Sequence, residues 1–259
     1  MNLLKAEWIK ATSLRSSWIL LGISLVLALG MAALMAKFSG QEIEDAGGQS
    51  SQINFTAGGL VSASYGSLAV LFVWVLALVL VTGEYRTGTI KSVFLMAPRR
   101  WDVYAVKTGF FAVLGAVVSF VFSLLCLLIA YAISGSGDLS PWTGGGLAAA
   151  GKYAVFVFIS MFLMVGISAI IRNMAGTIVL VIAWIFIVES LVGTIPKIGE
   201  PIAKWMPFVN GMSWISGSDP AQGAVSTNAL SSPGNILWFA VVCVVIWAAG
   251  LFVLRSRDA

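Results

Sequence analysis

Six long apolar runs set the terms for everything else in this chain: Trp18–Ala36, Leu60–Thr82, Phe110–Ile133, Tyr153–Ile171, Met174–Val192 and Ile236–Leu254. Each is about 20 residues long, which is what a helix rising about 1.5 Å per residue needs to cross a hydrocarbon layer roughly 30 Å thick. A single run in lipid must satisfy its backbone hydrogen bonds internally, so the runs are expected to be helices. One such run can be the core helix of a soluble protein, but six in 259 residues leave no soluble mass to surround them. Only 10% of the residues are charged, against about 25% in soluble domains. The expectation is an all-α, polytopic membrane protein of six transmembrane helices, a single domain over residues 1–259. Lys5, Lys10 and Arg15 precede the first run as they would in a signal peptide. Its apolar stretch exceeds the usual core of about 7–15 residues, however, and it reads as a retained span.

Single counts exclude much chemistry. There is no histidine, which removes His-based acid–base work, Ser-His-Asp and Cys-His sites and most zinc sites. Cys126 and Cys243 both lie inside apolar runs, so a structural disulfide is not expected. Lys91 and Lys107 are followed by Ser or Thr, but neither has the glycine before it that a phosphate-binding loop requires. The chain therefore carries no nucleotide motor or enzyme site of its own.

Basic residues give an orientation. With a cytoplasmic N-terminus, one side holds Lys5, Lys10, Arg15, Arg86, Lys91, Arg99, Arg100, Lys107, Arg172, Arg255 and Arg257, and the other Lys37, Lys152, Lys197 and Lys204. By the positive-inside rule this places both termini of a multi-pass protein in the cytoplasm, and the expected location is the bacterial cytoplasmic membrane. The net charge of +4 is then a topology signal, and a nucleic-acid partner is not implied.

The connecting segments differ in kind. In residues 1–17, Leu4, Trp8 and Ala11 share a helical face with the cations elsewhere, the pattern of an interfacial helix. The outer loop Lys37–Gly59 is polar and rich in Gly and Ser. The segment 193–235 contains Ile195, Pro196, Pro201, Trp205, Pro207, Phe208 and Trp214: too apolar for a free loop and too broken by proline for a span. Two readings remain open for it, a re-entrant pair of short helices and a small cap on the helix ends. The inner loop 83–109 is the richest. Gly83 and Gly88 allow the chain to turn out of the second span, Ile90, Val93, Phe94 and Ala97 follow helical spacing, and Pro98 ends that turn. Charges flank it: Glu84 and Arg86 before, Arg99, Arg100 and Asp102 after, with Lys107 leading into the third span. An amphipathic turn among charges suits docking into a groove on a soluble partner. An ordinary basic loop with an interfacial helix is the alternative.

Gly83-Glu84-Tyr85-Arg86-Thr87-Gly88-Thr89-Ile90, then Ala97-Pro98-Arg99-Arg100 and Lys107, between six spans and an amphipathic lead, resembles the permease subunits of type-2 ABC exporters. The resemblance implies that the loop is a coupling helix touching a separate ABC ATP-binding subunit, with Glu84, Arg86, Ile90, Phe94, Arg99 and Arg100 as the ATPase-coupling residues. It implies no cofactor in this chain, ATP and Mg being held by the partner. It also implies a second permease copy or paralogue, a substrate path lined by the second and fifth spans, and a re-entrant outer hairpin before the sixth.

An ion-coupled secondary transporter or channel is the competing reading, because such carriers place ionisable residues inside the membrane. Glu189 is the candidate here, and a snorkelling or helix-pairing role is its plainer account. A third reading is an ABC-type subunit that senses, or confers immunity to, an antimicrobial peptide. A route with few fixed charges suits an amphipathic drug, lipid or peptide better than a small ion.

Overall fold

The structure is a computed structural model, and it describes residues 3–39, 42–44, 50–52, 56–64, 69–88, 100–143, 145–192, 195, 202, 205–217 and 232–256. Ten α-helices carry the fold among these residues. They are α1 (Leu3–Ser13), α2 (Arg15–Phe38), α3 (Ala57–Ser64), α4 (Ala69–Thr87), α5 (Arg100–Ser134), α6 (Gly146–Ile171), α7 (Met174–Ala183), α8 (Glu189–Val192), α9 (Pro207–Ser216) and α10 (Ser232–Ser256). The expected helical membrane fold is present. A small antiparallel ribbon lies in the polar loop Lys37–Gly59: β1 (Glu42–Glu44) and β2 (Ser50–Gln52), with Ile43 opposite Ser51.

Among the described residues, four helices are long and apolar enough to cross a membrane: Arg15–Phe38, Trp101–Ser134, Gly146–Ile171 and Pro233–Leu254. The other two apolar runs are not plain spans. Leu60–Thr82 is divided between α3 and α4, whose axes differ by 54°. At the end of α3, Ser62 Oγ donates to the Gly59 carbonyl and Ser64 Oγ to that of Leu60. Such back-bonding weakens and bends a helix. Met174–Val192 is interrupted by a π turn, Trp184–Val188, between α7 and α8, and its apolar helix is too short to cross alone.

The interior follows membrane rather than soluble logic. The buried face of α2 is Ser17, Ser24, Ala28, Ala32 and Ala36, while Trp18, Ile19, Val26 and Leu34 face outward. Lipid is as apolar as leucine, so helices associate through small residues that let backbones approach. The same device joins α6 to α10. A Cβ on Gly166 would stand 2.9 Å from the backbone of Ile246 and Trp247, and one on Gly250 would stand 2.8 Å from the Gly166 carbonyl oxygen. Helix α6 is central and packs against α4, α5 and α10. Around it, Trp74, Phe156, Phe208 and Phe239 form an aromatic cluster, with Phe156 stacked on Phe239 at 4.8 Å between centroids. The Trp74 indole N–H donates to Ser160 Oγ (2.8 Å).

The second and third spans end differently from the sequence reading. Gly83 is helical, and α4 continues to Thr87, where Gly88 (φ +70°) takes the left-handed stop. Helix α5 begins at Arg100, so the segment between the two helices is shorter than 83–109. At 35 residues α5 is about 50 Å long. Its polar first turns therefore project beyond a hydrocarbon layer of about 30 Å.

A buried charge network at the polar end of the bundle

The ends of α1, α4 and α5 meet at one end of the bundle, and four charged side chains hold them there. Lys107, from the projecting part of α5, donates to Glu84 Oε2 at 2.5 Å and lies 3.0 Å from Glu7 Oε1 of α1. Lys10, one turn beyond Glu7, donates to Glu84 Oε1 and to the Leu80 carbonyl (3.0 Å). The order Glu7–Lys107–Glu84–Lys10 alternates in sign and sums to zero. Glu84 is 7% exposed and Lys107 5%. Burial of charge on this scale is tolerated when each group is paired and hydrogen-bonded. Glu7 Oε2 is buried without a hydrogen-bond partner among the described residues.

Local sequence explains how these groups come together. Glu7 and Lys10 are three apart on α1, so they share a face with the buried Ala11, and this face meets the bundle. The Leu4–Trp8–Ala11 stripe expected to act together is therefore split: Leu4 and Trp8 are exposed, with the Trp8 ring edge-on to Phe110. Leu14 is extended (φ −82°, ψ 122°) and separates α1 from α2, which allows α1 to fold across α5.

Around the network lie two aromatic contacts. Tyr104 of α5 stacks on Trp247 of α10 at 5.3 Å and donates through its hydroxyl to the Trp247 carbonyl (3.1 Å). The Arg172 guanidinium, at the end of α6, sits 5.4 Å from the centre of the Tyr85 ring. Lys10, Glu84, Lys107 and Arg172 come from segments that the charge count groups on one side, and they lie at one end of the bundle.

Of the residues expected to meet an ATPase, Glu84 is turned inward and both its oxygens are engaged by lysines of the same chain. Arg86 lies in the last turn of α4 and Arg100 opens α5. Ile90, Phe94 and Arg99 lie outside the described residues. Sequence reasoning noted Lys10, Glu84 and Lys107 separately and missed Glu7. Its i, i+3 spacing to Lys10 was the available signal.

Glu189 occupies a second polar site. Its Oε1 accepts from the Phe208 N–H (3.1 Å) and the Trp184 indole N–H (3.1 Å), and its Oε2 accepts from the Val209 N–H (3.0 Å). Helix α9 opens with Pro207 after Met206, which supplies no capping side chain. Glu189 thus caps α9 from another helix, satisfying orphan N–H groups and facing the positive end of its dipole. The start of α9 lies beside Leu163 and Val242, well inside the lengths of α6 and α10. No group of metal-ligating side chains occurs among the described residues.

The long apolar helices are those of a multi-pass membrane protein. The family model of the ABC-2 family transporter proteins matches residues 3–192. That stretch is most of the chain and contains the whole charge network. The chain belongs to this family, whose members are the membrane components of ABC transporters rather than catalysts. No curated protein and no solved structure matches it.

Proposed function

We propose that the chain is the membrane subunit of an ATP-driven exporter, with six spans and both termini cytoplasmic, paired with a second permease and driven by a separate ATP-binding subunit that holds ATP and Mg. The observation that carries this reading is the buried Glu7–Lys107–Glu84–Lys10 chain, set on both sides of the segment between α4 and α5. A segment docked on a moving partner transmits force only if its two roots are held together. The network makes the end of α4, the start of α5 and α1 one unit. The segment between α4 and α5, within the expected 83–109, is the coupling loop. Ile90, Phe94, Arg99 and Arg100 meet the ATPase, Arg86 flanks them, and Glu84 acts through the network. ATP binding moves the equilibrium because the ATPase grips one arrangement of this unit more tightly than the other. The second and fifth spans line the path of an amphipathic substrate. The outer hairpin built on α9 is re-entrant, a reading supported by the depth of its start between α6 and α10.

The test is copurification with a candidate ABC ATP-binding subunit, together with ATP turnover in nanodiscs. Phe94→Ala, through about 3–5 kcal/mol of lost apolar contact, and the joint charge reversal of Arg99 and Arg100, through about 2–5 kcal/mol for an unpaired interface charge, are each expected to weaken association by more than tenfold. Neither change touches a span, so insertion stays normal. Wild-type association in both variants would refute the docking role.

A further inference from the structure

Helix α7 is held at its inner end by an unusual residue. Arg172 and Asn173 alone connect α6 to α7. Arg172 is left-handed (φ 55°, ψ 12°), with its N–H closing on the Ser168 carbonyl, and it is the only non-glycine with positive φ among the described residues. Glycine takes such a helix-ending position without strain. An arginine there points to a task for its side chain, and that side chain lies over the Tyr85 ring at 5.4 Å. Tyr85 follows Glu84 directly, so this contact leaves α4 beside the charge network. On the other side, Asn173 Oδ1 accepts from the Gly176 N–H (3.2 Å) and fixes the first turn of α7 to the same two-residue link. Beyond that turn α7 packs against α4 and is otherwise largely exposed. Thr177 and Val181 are its buried residues. An apolar cavity of about 350 Å³, lined by Ile167, Ile171, Leu180, Trp184, Phe208 and Ile246, separates it from α6 and α10.

We propose that Arg172 is a positioning residue that carries displacement of the charged end of α4 into α7. A cation seated on an aromatic face is attracted to the ring's negative quadrupole. When Tyr85 moves, Arg172 follows, and the short link obliges α7 to move with it. The cavity gives α7 room to shift without driving side chains into α6 or α10. The contact runs in parallel with the Glu84 network and with the direct packing of α7 on α4. The inference rests on the coupling reading, and its test separates the two.

Single spin labels are placed at Val179, exposed on α7, and at Trp101, exposed at the start of α5, in a background with Cys126 and Cys243 replaced by alanine. Spectra of the permease–ATPase complex in nanodiscs are compared before and after trapping with ATP and vanadate. Wild type and Tyr85→Phe, which keeps the ring, are expected to show a shift at both labels. Tyr85→Leu and Arg172→Gly are expected to lose most of the Val179 shift and keep that at Trp101. Arg172→Gly removes the strained residue, so its thermal stability is not expected to fall. Arg172→Lys, which retains a cation, is expected to recover part of the Val179 shift. A full Val179 shift in both Tyr85→Leu and Arg172→Gly overturns the inference and leaves coupling intact. So does a wild type in which Trp101 moves and Val179 does not. If neither label moves in the wild type, the coupling reading falls and this inference falls with it.

Discussion

Replacing Lys107 with methionine is the sharpest test of the charge network. Methionine has nearly the length of lysine and suits an apolar surround, so the change is chiefly electrostatic. In the native arrangement the ammonium stands 2.5 Å from Glu84 and 3.0 Å from Glu7. Without it, two carboxylates from α1 and α4 are left near one another, with Lys10 alone to offset them. Removing one partner of a buried ion pair costs about 3–5 kcal/mol, because the other charge stays buried. The Glu7 and Lys10 side chains are 13% and 29% exposed, so the site borders water and the lower end of that range applies. A loss of about 3 kcal/mol corresponds to a fall in Tm of roughly 6–12 °C for a chain of this size. Thermal unfolding in one detergent, read by size-exclusion of the surviving monodisperse fraction, measures it. The argument also predicts non-additivity: Glu84→Gln with Lys107→Met should be less destabilised than the sum of the single variants, since the double variant strands one carboxylate fewer. Lys107→Met within about 2 °C of wild type, or strict additivity, would refute the reasoning.

Two further outcomes follow from the packing. Glu189→Gln is expected to cost about 1 kcal/mol and leave transport largely intact, because a glutamine oxygen can keep the Oε1 contacts while one backbone N–H loses its acceptor; abolished transport at normal Tm would show Glu189 to be part of the mechanism. Gly250→Val is expected to destabilise by about 1–3 kcal/mol, since its Cβ would meet the Gly166 carbonyl oxygen at 2.8 Å and force α6 from α10; a Tm unchanged in the same unfolding assay would contradict that close packing.

Hydropathy alone determined that this chain is a helical membrane protein, because apolar length is a local property that needs no partner. The glycine-and-charge pattern from Gly83 to Arg100 carried the family, for the same reason: it is contiguous in sequence. What escaped was everything that depends on which faces meet. The 54° angle between α3 and α4 divides a run that is continuously apolar in sequence, so hydropathy does not register it. The π turn at Trp184–Val188 lies next to Glu189, whose carboxylate is committed to the N-terminus of α9 about twenty residues along the chain. Glu84 looked like a surface residue awaiting a partner protein because its sequence neighbours are polar. Tertiary packing instead closed Lys10 and Lys107 on it from α1 and α5, across separations that no periodicity encodes. A charge pair of that kind exists only once the helices bearing it are in register. The sequence supplies the charges, and the register comes from the small-residue faces of α2, α6 and α10, which bring the backbones close enough for the ends to meet.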